Sequence, residues 1–226
     1  MVFMRSAVLY SGGKDSTLAL HRAVEAGATI DLLITMLSRN RESYMFHYPN
    51  TRFTKLQAEA LGIEQVFVDT EGRKEEELKD LEKALVDNDV GLLVTGATYS
   101  AYQGDRINGI TRRLGIEHMA PLWHIDPMEE LGILARDYNA IITAVAAEGL
   151  GESFLGARID DETVSLLVEA NRKYGINMLF EGGEAESFVL DAPLFKKRIE
   201  ILKVRKEWNG STGAYVFEEA RLVSKP

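Results

Sequence analysis

An α/β fold with a doubly wound parallel sheet, followed by a smaller α+β part, is the architecture that this sequence predicts. Three observations carry the prediction. Four short apolar runs alternate with amphipathic stretches over residues 1–120; the first of those junctions is a glycine turn; and the chain ends on two runs suited to an antiparallel hairpin. With 226 residues and 46% apolar content, the chain can build one large domain or two small ones around an ample core.

Ala7 to Tyr10 reads as the first strand and the amphipathic stretch from Thr17 to Ala26 as the first helix. That helix has Leu20, Ala23, Val24 and Gly27 at i, i+3, i+4 and i+7, with Gly27 as its stop. Between strand and helix stands Ser11-Gly12-Gly13-Lys14-Asp15-Ser16. Two glycines at a strand's carboxyl end let backbone N–H groups approach an anion, and the following helix aims its positive end at the same point. Such a turn suits a phosphate. Ser11 and Ser16 add hydroxyl donors and Lys14 a point charge, while Asp15, an anion among phosphate binders, fits there through a bound Mg²⁺. The run is not a Walker loop, which needs more residues before its lysine than Gly12-Gly13 provide.

Ile30 to Met36 is apolar enough for a strand covered on both faces. Residues 39–50 read as a long loop, and Phe53, Leu56 and Ala60 mark the next helix, ended by Gly62. Gln65 to Asp69 is a third strand. Leu78, Leu81 and Leu85 form the inner stripe of a charged helix over 74–86, whose charge run reads as a solvated face, and Leu92-Leu93-Val94 is a fourth strand. In such a sheet ligands bind beyond the strands' carboxyl ends. The second strand is followed by Ser38-Arg39-Asn40-Arg41, where either arginine can reach a phosphate or carboxylate or simply be solvated. After the fourth strand, Thr95 to Arg106 is a turn rich in glycine, hydroxyls and tyrosines, leading into a helix with Ile107, Ile110 and Leu114 inward. Tyr99, Tyr102, Gln103 and Arg106 are its candidate substrate residues; the blander reading has the tyrosines packing the end of the sheet.

A boundary is expected near Ala120, giving a nucleotide domain over 1–120 and a substrate domain over 121–226 with its own small sheet. Asp126-Pro127-Met128-Glu129 is a capped helix start, ahead of Met128, Leu131 and Ala135 facing inward. Ala140 to Val145 is a buried strand. Asp160-Asp161-Glu162 opens another helix, with Val164, Leu167, Val168 and Asn171 inward and Gly175 closing it. A strand from Asn177 to Phe180 then leads into Glu181-Gly182-Gly183-Glu184-Ala185-Glu186-Ser187. Three carboxylates on one glycine turn repel one another, which suits a place where cations gather, although a solvated acidic loop has the same composition. The closing hairpin pairs 198–208 with 214–222 across Asn209 to Gly213.

A net charge of −9 argues against nonspecific binding to DNA or other nucleic acid. No apolar run is long enough to span a bilayer, and residues 1–10 are too short for a secretory signal, so a cytoplasmic protein is expected. Zero cysteines exclude disulfides, thiolate metal sites and cysteine nucleophiles. Four scattered histidines lack zinc-ligand spacing.

The sextet at 11–16 resembles the pyrophosphate loop of the N-type ATP pyrophosphatases, of the PP-loop, adenine-nucleotide alpha-hydrolase type. SGGKDS at 11–16, GATYSAYQ at 96–103 followed by Arg106, APLW at 120–123, EGGEAES at 181–187 and LDAPLFKKRI at 190–199 together resemble the diphthine–ammonia ligase family along nearly the whole chain. That resemblance implies ATP with Mg²⁺, ammonium as nitrogen donor and translation elongation factor 2 as protein substrate, whose diphthine carboxylate becomes an amide as ATP yields AMP and pyrophosphate. Ser11, Gly12, Gly13, Lys14 and Ser16 would hold the pyrophosphate, and Lys14 and Asp15 would act on it. Glu184 or Glu186 would deprotonate or concentrate ammonium. Tyr99, Tyr102, Trp123 and Glu181 would face the substrate's trimethylammonium group, with Gln103, Arg106, Gly182 and Gly183 completing the substrate site. Gly104 and Asn108 stand where the family pattern YQR-x-R-x-E has arginine and glutamate, so a related ligase amidating another carboxylate is the first alternative, and a non-catalytic ATP sensor the second. A symmetric homodimer is the default expectation.

Overall fold

A computed structural model describes residues 4–38, 50–71, 74–99 and 101–226, with side chains described for these except 74, 75 and 101–103. Arg39, Asn40 and Arg41 lie outside the described residues, as do the side chains of Tyr102 and Gln103. The chain divides into two compact units: Met1–Ser11 with Asp15–His124, and Gly12–Lys14 with Ile125–Pro226.

The first unit is a five-stranded, all-parallel sheet flanked by helices. Its strands are β1 (Arg5–Leu9), β2 (Leu32–Ser38), β3 (Glu64–Thr70), β4 (Val90–Val94) and β5 (Glu117–Met119), in the order β3-β2-β1-β4-β5. Strand order reverses between β1 and β4, so the loops after these two strands flank the switch point where open α/β sheets take ligands. The helices are α1 (Lys14–Glu25), α2 (Thr54–Leu61), α3 (Lys74–Asp87) and α4 (Ala101–Leu114). Leu81 and Leu85 of α3 and Ile107 and Ile110 of α4 join Ile34 and Leu93 of the sheet in one buried cluster.

Four details differ from expectation. α1 starts at Lys14 rather than Thr17, so Lys14, Asp15 and Ser16 form its first turn. β5 escaped notice because three residues, held by parallel pairing of Glu117, His118 and Met119 to Leu92, Leu93 and Val94, are too few to display a period. α4 begins inside the stretch read as a turn, which places Asp105 and Arg106 on its first two turns. In α2 the buried side chains are Thr54, Gln57, Ala58, Ala60 and Leu61, with Phe53 and Leu56 only half-buried. The inward face there is partly polar: the Gln65 amide donates to Thr54 Oγ1 at 2.7 Å and to Thr35 Oγ1 at 2.8 Å, which draws threonines inside.

The second unit carries a four-stranded antiparallel sheet in the order β7-β6-β9-β8, from β6 (Asn139–Val145), β7 (Ala185–Asp191), β8 (Arg198–Trp208) and β9 (Gly213–Val223). Phe188 of β7 meets Phe217 of β9 edge to face, 5.1 Å between ring centres, in its core. Two helices complete it, α5 (Pro127–Asp137) and α6 (Asp161–Tyr174). Asp126 caps α5 by accepting from the Met128 and Glu129 N–H groups, and Asp160 caps α6 by accepting from Thr163 N–H. The Thr163 N–H bond holds the Asp160 carboxyl below the usual range.

The inward faces of both helices are rotated from expectation. α5 buries Glu130, Leu131 and Leu134 while Met128 is exposed, because Glu130 has an ionic partner inside. α6 buries Thr163, Val164, Leu167 and Ala170; Val168 is exposed, and Asn171 turns its amide to the Ile176 carbonyl beyond the helix end. Asn177 to Phe180 is no strand. Asn177 Oδ1 accepts from Leu179 N–H at 2.8 Å and Phe180 has φ of 68°, so a side-chain-stabilised turn replaces extended backbone. Among the described residues no helix is long and apolar enough to cross a membrane.

Candidate functional site

In the first unit the residues around the end of β1 carry a set of buried hydroxyls. The Tyr10 hydroxyl lies 3.1 Å from Thr17 Oγ1, and Thr35 donates to the Tyr10 carbonyl at 2.7 Å. Burial pushes the Tyr10 hydroxyl's pKa up, so it stays protonated and able to donate. Ser11 and Ser16 face each other across the turn: their hydroxyls are 3.2 Å apart, and Ser11 N–H donates to Ser16 Oγ at 3.3 Å. Gly12 has φ of 81°, a conformation that glycine adopts without a Cβ penalty. Gly96, in the loop after β4, is needed for another reason. A Cβ there would come within 2.7–2.8 Å of the Asp15 carbonyl group and Ser16 nitrogen. The loop after β4 therefore touches the first turn of α1, joining both loops of the switch point.

Tyr99 and Trp123, each 42% exposed, flank His124, with ring centres 5.3 and 5.0 Å from the imidazole. His124 has φ of 63° and donates its N–H to the Thr98 carbonyl at 2.9 Å, which ties the segment after β5 to the segment after β4. A positive φ at a non-glycine residue is a conformation that packing must enforce, and such positions cluster at functional sites. Sequence reading missed His124; its only signal was adjacency to Trp123. The two departures from the family pattern have local partners: a Cβ on Gly104 would stand 3.4 Å from the Trp123 ring, and Asn108 Oδ1 lies 2.7 Å from His118 Nδ1. Because an amide oxygen only accepts, His118 carries its proton on Nδ1, and Nε2 accepts from Thr95 at 2.8 Å. Burial lowers the His118 pKa and keeps the ring neutral.

The second unit takes in the middle of the turn. Lys14 N–H donates to Ser187 Oγ at 3.1 Å, and Val189 N–H donates to the Gly12 carbonyl at 3.0 Å, so β7 holds Gly12–Lys14 from one side. The Lys14 ammonium is 3.0 Å from Glu130 Oε1, and the Phe180 ring centre is 5.6 Å from it. Glu130 and Phe180 were not legible as site residues, since nothing local marks a glutamate on an amphipathic helix as buried. In the EGGE turn Glu184 Oε1 accepts from Asn177 N–H at 3.0 Å and Oε2 from Gly182 N–H at 2.8 Å. Its carboxylate shapes the turn. Glu181 and Glu186 are half-buried, and strand alternation turns Glu186 to the face of β7 opposite Ser187.

Two family models match: the diphthamide synthase N-terminal domain over residues 4–118 and the diphthamide synthase C-terminal domain over residues 126–223. The chain belongs to the diphthamide synthase family. The diphthine–ammonia ligase of Homo sapiens is 33% identical over 222 residues, covering 88% of this chain and 83% of the human one. The diphthine–ammonia ligase of Schizosaccharomyces pombe is 31% identical over 246 residues, covering 99% of this chain and 40% of the longer yeast protein. Membership makes the chain an enzyme of the ligase type. Among solved structures, a predicted subunit of tRNA methyltransferase from Methanocaldococcus jannaschii superposes with a TM-score of 0.47 at 17% identity, over 84% of this chain and 98% of that one.

Proposed function

We propose that this chain amidates diphthine on translation elongation factor 2, consuming ATP and ammonium and releasing AMP and pyrophosphate. The observation that carries the reading is the turn after β1. Its glycines, paired serines and Lys14 stand where the strand order reverses, with Gly96 leaving room for no side chain over the start of α1. In this reading residues 1–120 bind the nucleotide and 121–226 serve the acceptor.

A carboxylate is a poor acyl donor until its oxygen is made part of a good leaving group. Its oxygen attacks the α-phosphorus, the bond to the β-phosphate oxygen breaks, and pyrophosphate departs with that electron pair. Gly12, Gly13, Ser11, Ser16 and Lys14 are preorganised to meet the growing charge. Asp15 is the carboxylate on that turn that would hold Mg²⁺, which takes one or two carboxylates together with substrate phosphates and supplies charge neutralisation. Ammonia then attacks the acyl carbon and AMP leaves. Before that step ammonium gives up a proton. We assign Glu184 to holding the turn on which Glu181 and the glycines stand. Tyr99, Trp123 and His124, with Tyr102, Gln103 and Arg106 of α4, are assigned to the acceptor and its quaternary ammonium.

The test incubates the full chain with ATP, Mg²⁺, ammonium and elongation factor 2 bearing diphthine, and follows AMP, pyrophosphate and the factor's mass. Conversion of acid to amide in step with AMP supports the reading. AMP release with another carboxylate and an unchanged factor would instead point to a related ligase.

A further inference from the structure

We propose that Glu130 is a positioning residue for the nucleotide reaction, fixing where the Lys14 ammonium stands and so where positive charge meets the departing pyrophosphate. This inference rests on the ligase reading above. Lysine normally keeps its ammonium in water at the end of a flexible stem. Here the Lys14 side chain is 1% exposed and its Glu130 partner 0% exposed, both inside the second unit. The lysine is held at two points. Its main-chain N–H is bound by Ser187 of β7, while its tip is bound by Glu130 of α5 and lies over the Phe180 ring.

Glu130 is itself fixed. Its N–H donates to the Asp126 carbonyl at 3.0 Å, in the first turn of a helix whose start is set by the Asp126 cap and Pro127. Phe180 keeps its place with a left-handed φ at a non-glycine residue, directly before the EGGE turn. A buried ion pair is a poor device for stability, because desolvation offsets most of the attraction, whereas it specifies geometry well. A phosphate-binding lysine acts as a point charge, and its effect depends on where that charge sits. Glu130 neither gives nor takes a proton in the step. It holds the ammonium while the phosphorus–oxygen bond breaks.

The experiment measures steady-state AMP release by the full chain with ATP, Mg²⁺, ammonium and the diphthine-bearing factor, for wild type, E130Q, E130D, K14M and K14M/E130Q. E130Q is expected to lower kcat by about 10- to 100-fold, less than deleting an essential stabilising donor, with KM for ATP moving under about 3-fold. E130D, which keeps the charge but withdraws it by one methylene, recovers part of that loss; it also carries the test if E130Q melts below assay temperature. In the K14M background E130Q should cost no further rate, since it acts through the lysine. Unchanged kcat in both Glu130 variants would overturn the proposal. So would an equal loss with and without Lys14, or faster turnover in E130Q. No AMP from wild type would overturn the ligase reading instead, whatever the variants do.

Discussion

Gly12-Gly13 and Gly182-Gly183 are both glycine pairs beside charged side chains, and their surroundings use the backbone in opposite senses. The first pair lies between β1 and α1, on the side of the helix where the positive end of its dipole lies, with the Lys14 N–H bound by Ser187. The second pair precedes β7, and its own glutamate folds back: Glu184 accepts from Gly182 and Asn177 N–H groups. In the proposed reading the first turn receives an anion, whereas the second uses its own anion to hold its shape. On the proposed reading, similar composition carries a ligand function in one place and a scaffolding function in the other, and the direction of the donors separates them.

Substitutions at the two turns sharpen this contrast. The largest effect is expected from G96A, since its Cβ would press on the backbone of Asp15 and Ser16. Displacing that turn by about 1 Å should slow AMP formation on the order of 10²-fold, and overpacking should destabilise the fold by about 1–3 kcal/mol. Kinetics and thermal melting check both. E184Q presents an amide NH₂ or a single oxygen to two N–H donors, so the second turn should lose about 1–3 kcal/mol, with amidation impaired and ATP binding intact by calorimetry. Weakened ATP binding in E184Q would erase the distinction between the turns.

W123A bears on the acceptor. If the exposed ring faces a quaternary ammonium, KM for the diphthine-bearing factor should rise about 3- to 10-fold, matching the size of a cation–π contact, while KM for ATP stays put. An unchanged acceptor KM would leave Trp123 as a cover for Gly104. The smallest effect belongs to His118. Its pKa is lowered in the fold, so below the unfolded value of about 6.5 the unfolded chain binds more protons and stability falls as pH falls. Denaturant melts at pH 7.5 and 5.5 should show wild type losing more stability than H118N as the pH falls, and equal losses would remove His118 from the account.

What could be read from the sequence was local. The glycine turn between the first strand and helix is legible within six residues, and β2 and β4 show themselves as apolar runs because both faces are covered. Asp126 and Asp160 announced their helices through cap chemistry acting two or three residues away. What failed was non-local. Glu130 is buried because Lys14, 116 positions earlier in the chain, gives it a partner. Thr54 faces inward because Gln65 of the neighbouring strand bonds it. Met178-Leu179-Phe180 looks like the apolar part of a strand, and the Asn177 side chain overrules that pattern by stabilising a turn. β5 is three residues long and exists only through its pairing with β4.

The central claim is that the turn after β1 presides over adenylation of a carboxylate with pyrophosphate as leaving group. Isotope exchange between labelled pyrophosphate and ATP, measured without ammonium, tests it most directly. Label should enter ATP when the diphthine-bearing factor is present and not when it is absent, because the acyl-adenylate forms reversibly and waits for its nucleophile. ADP and phosphate as products, with no label returning to ATP, would contradict it.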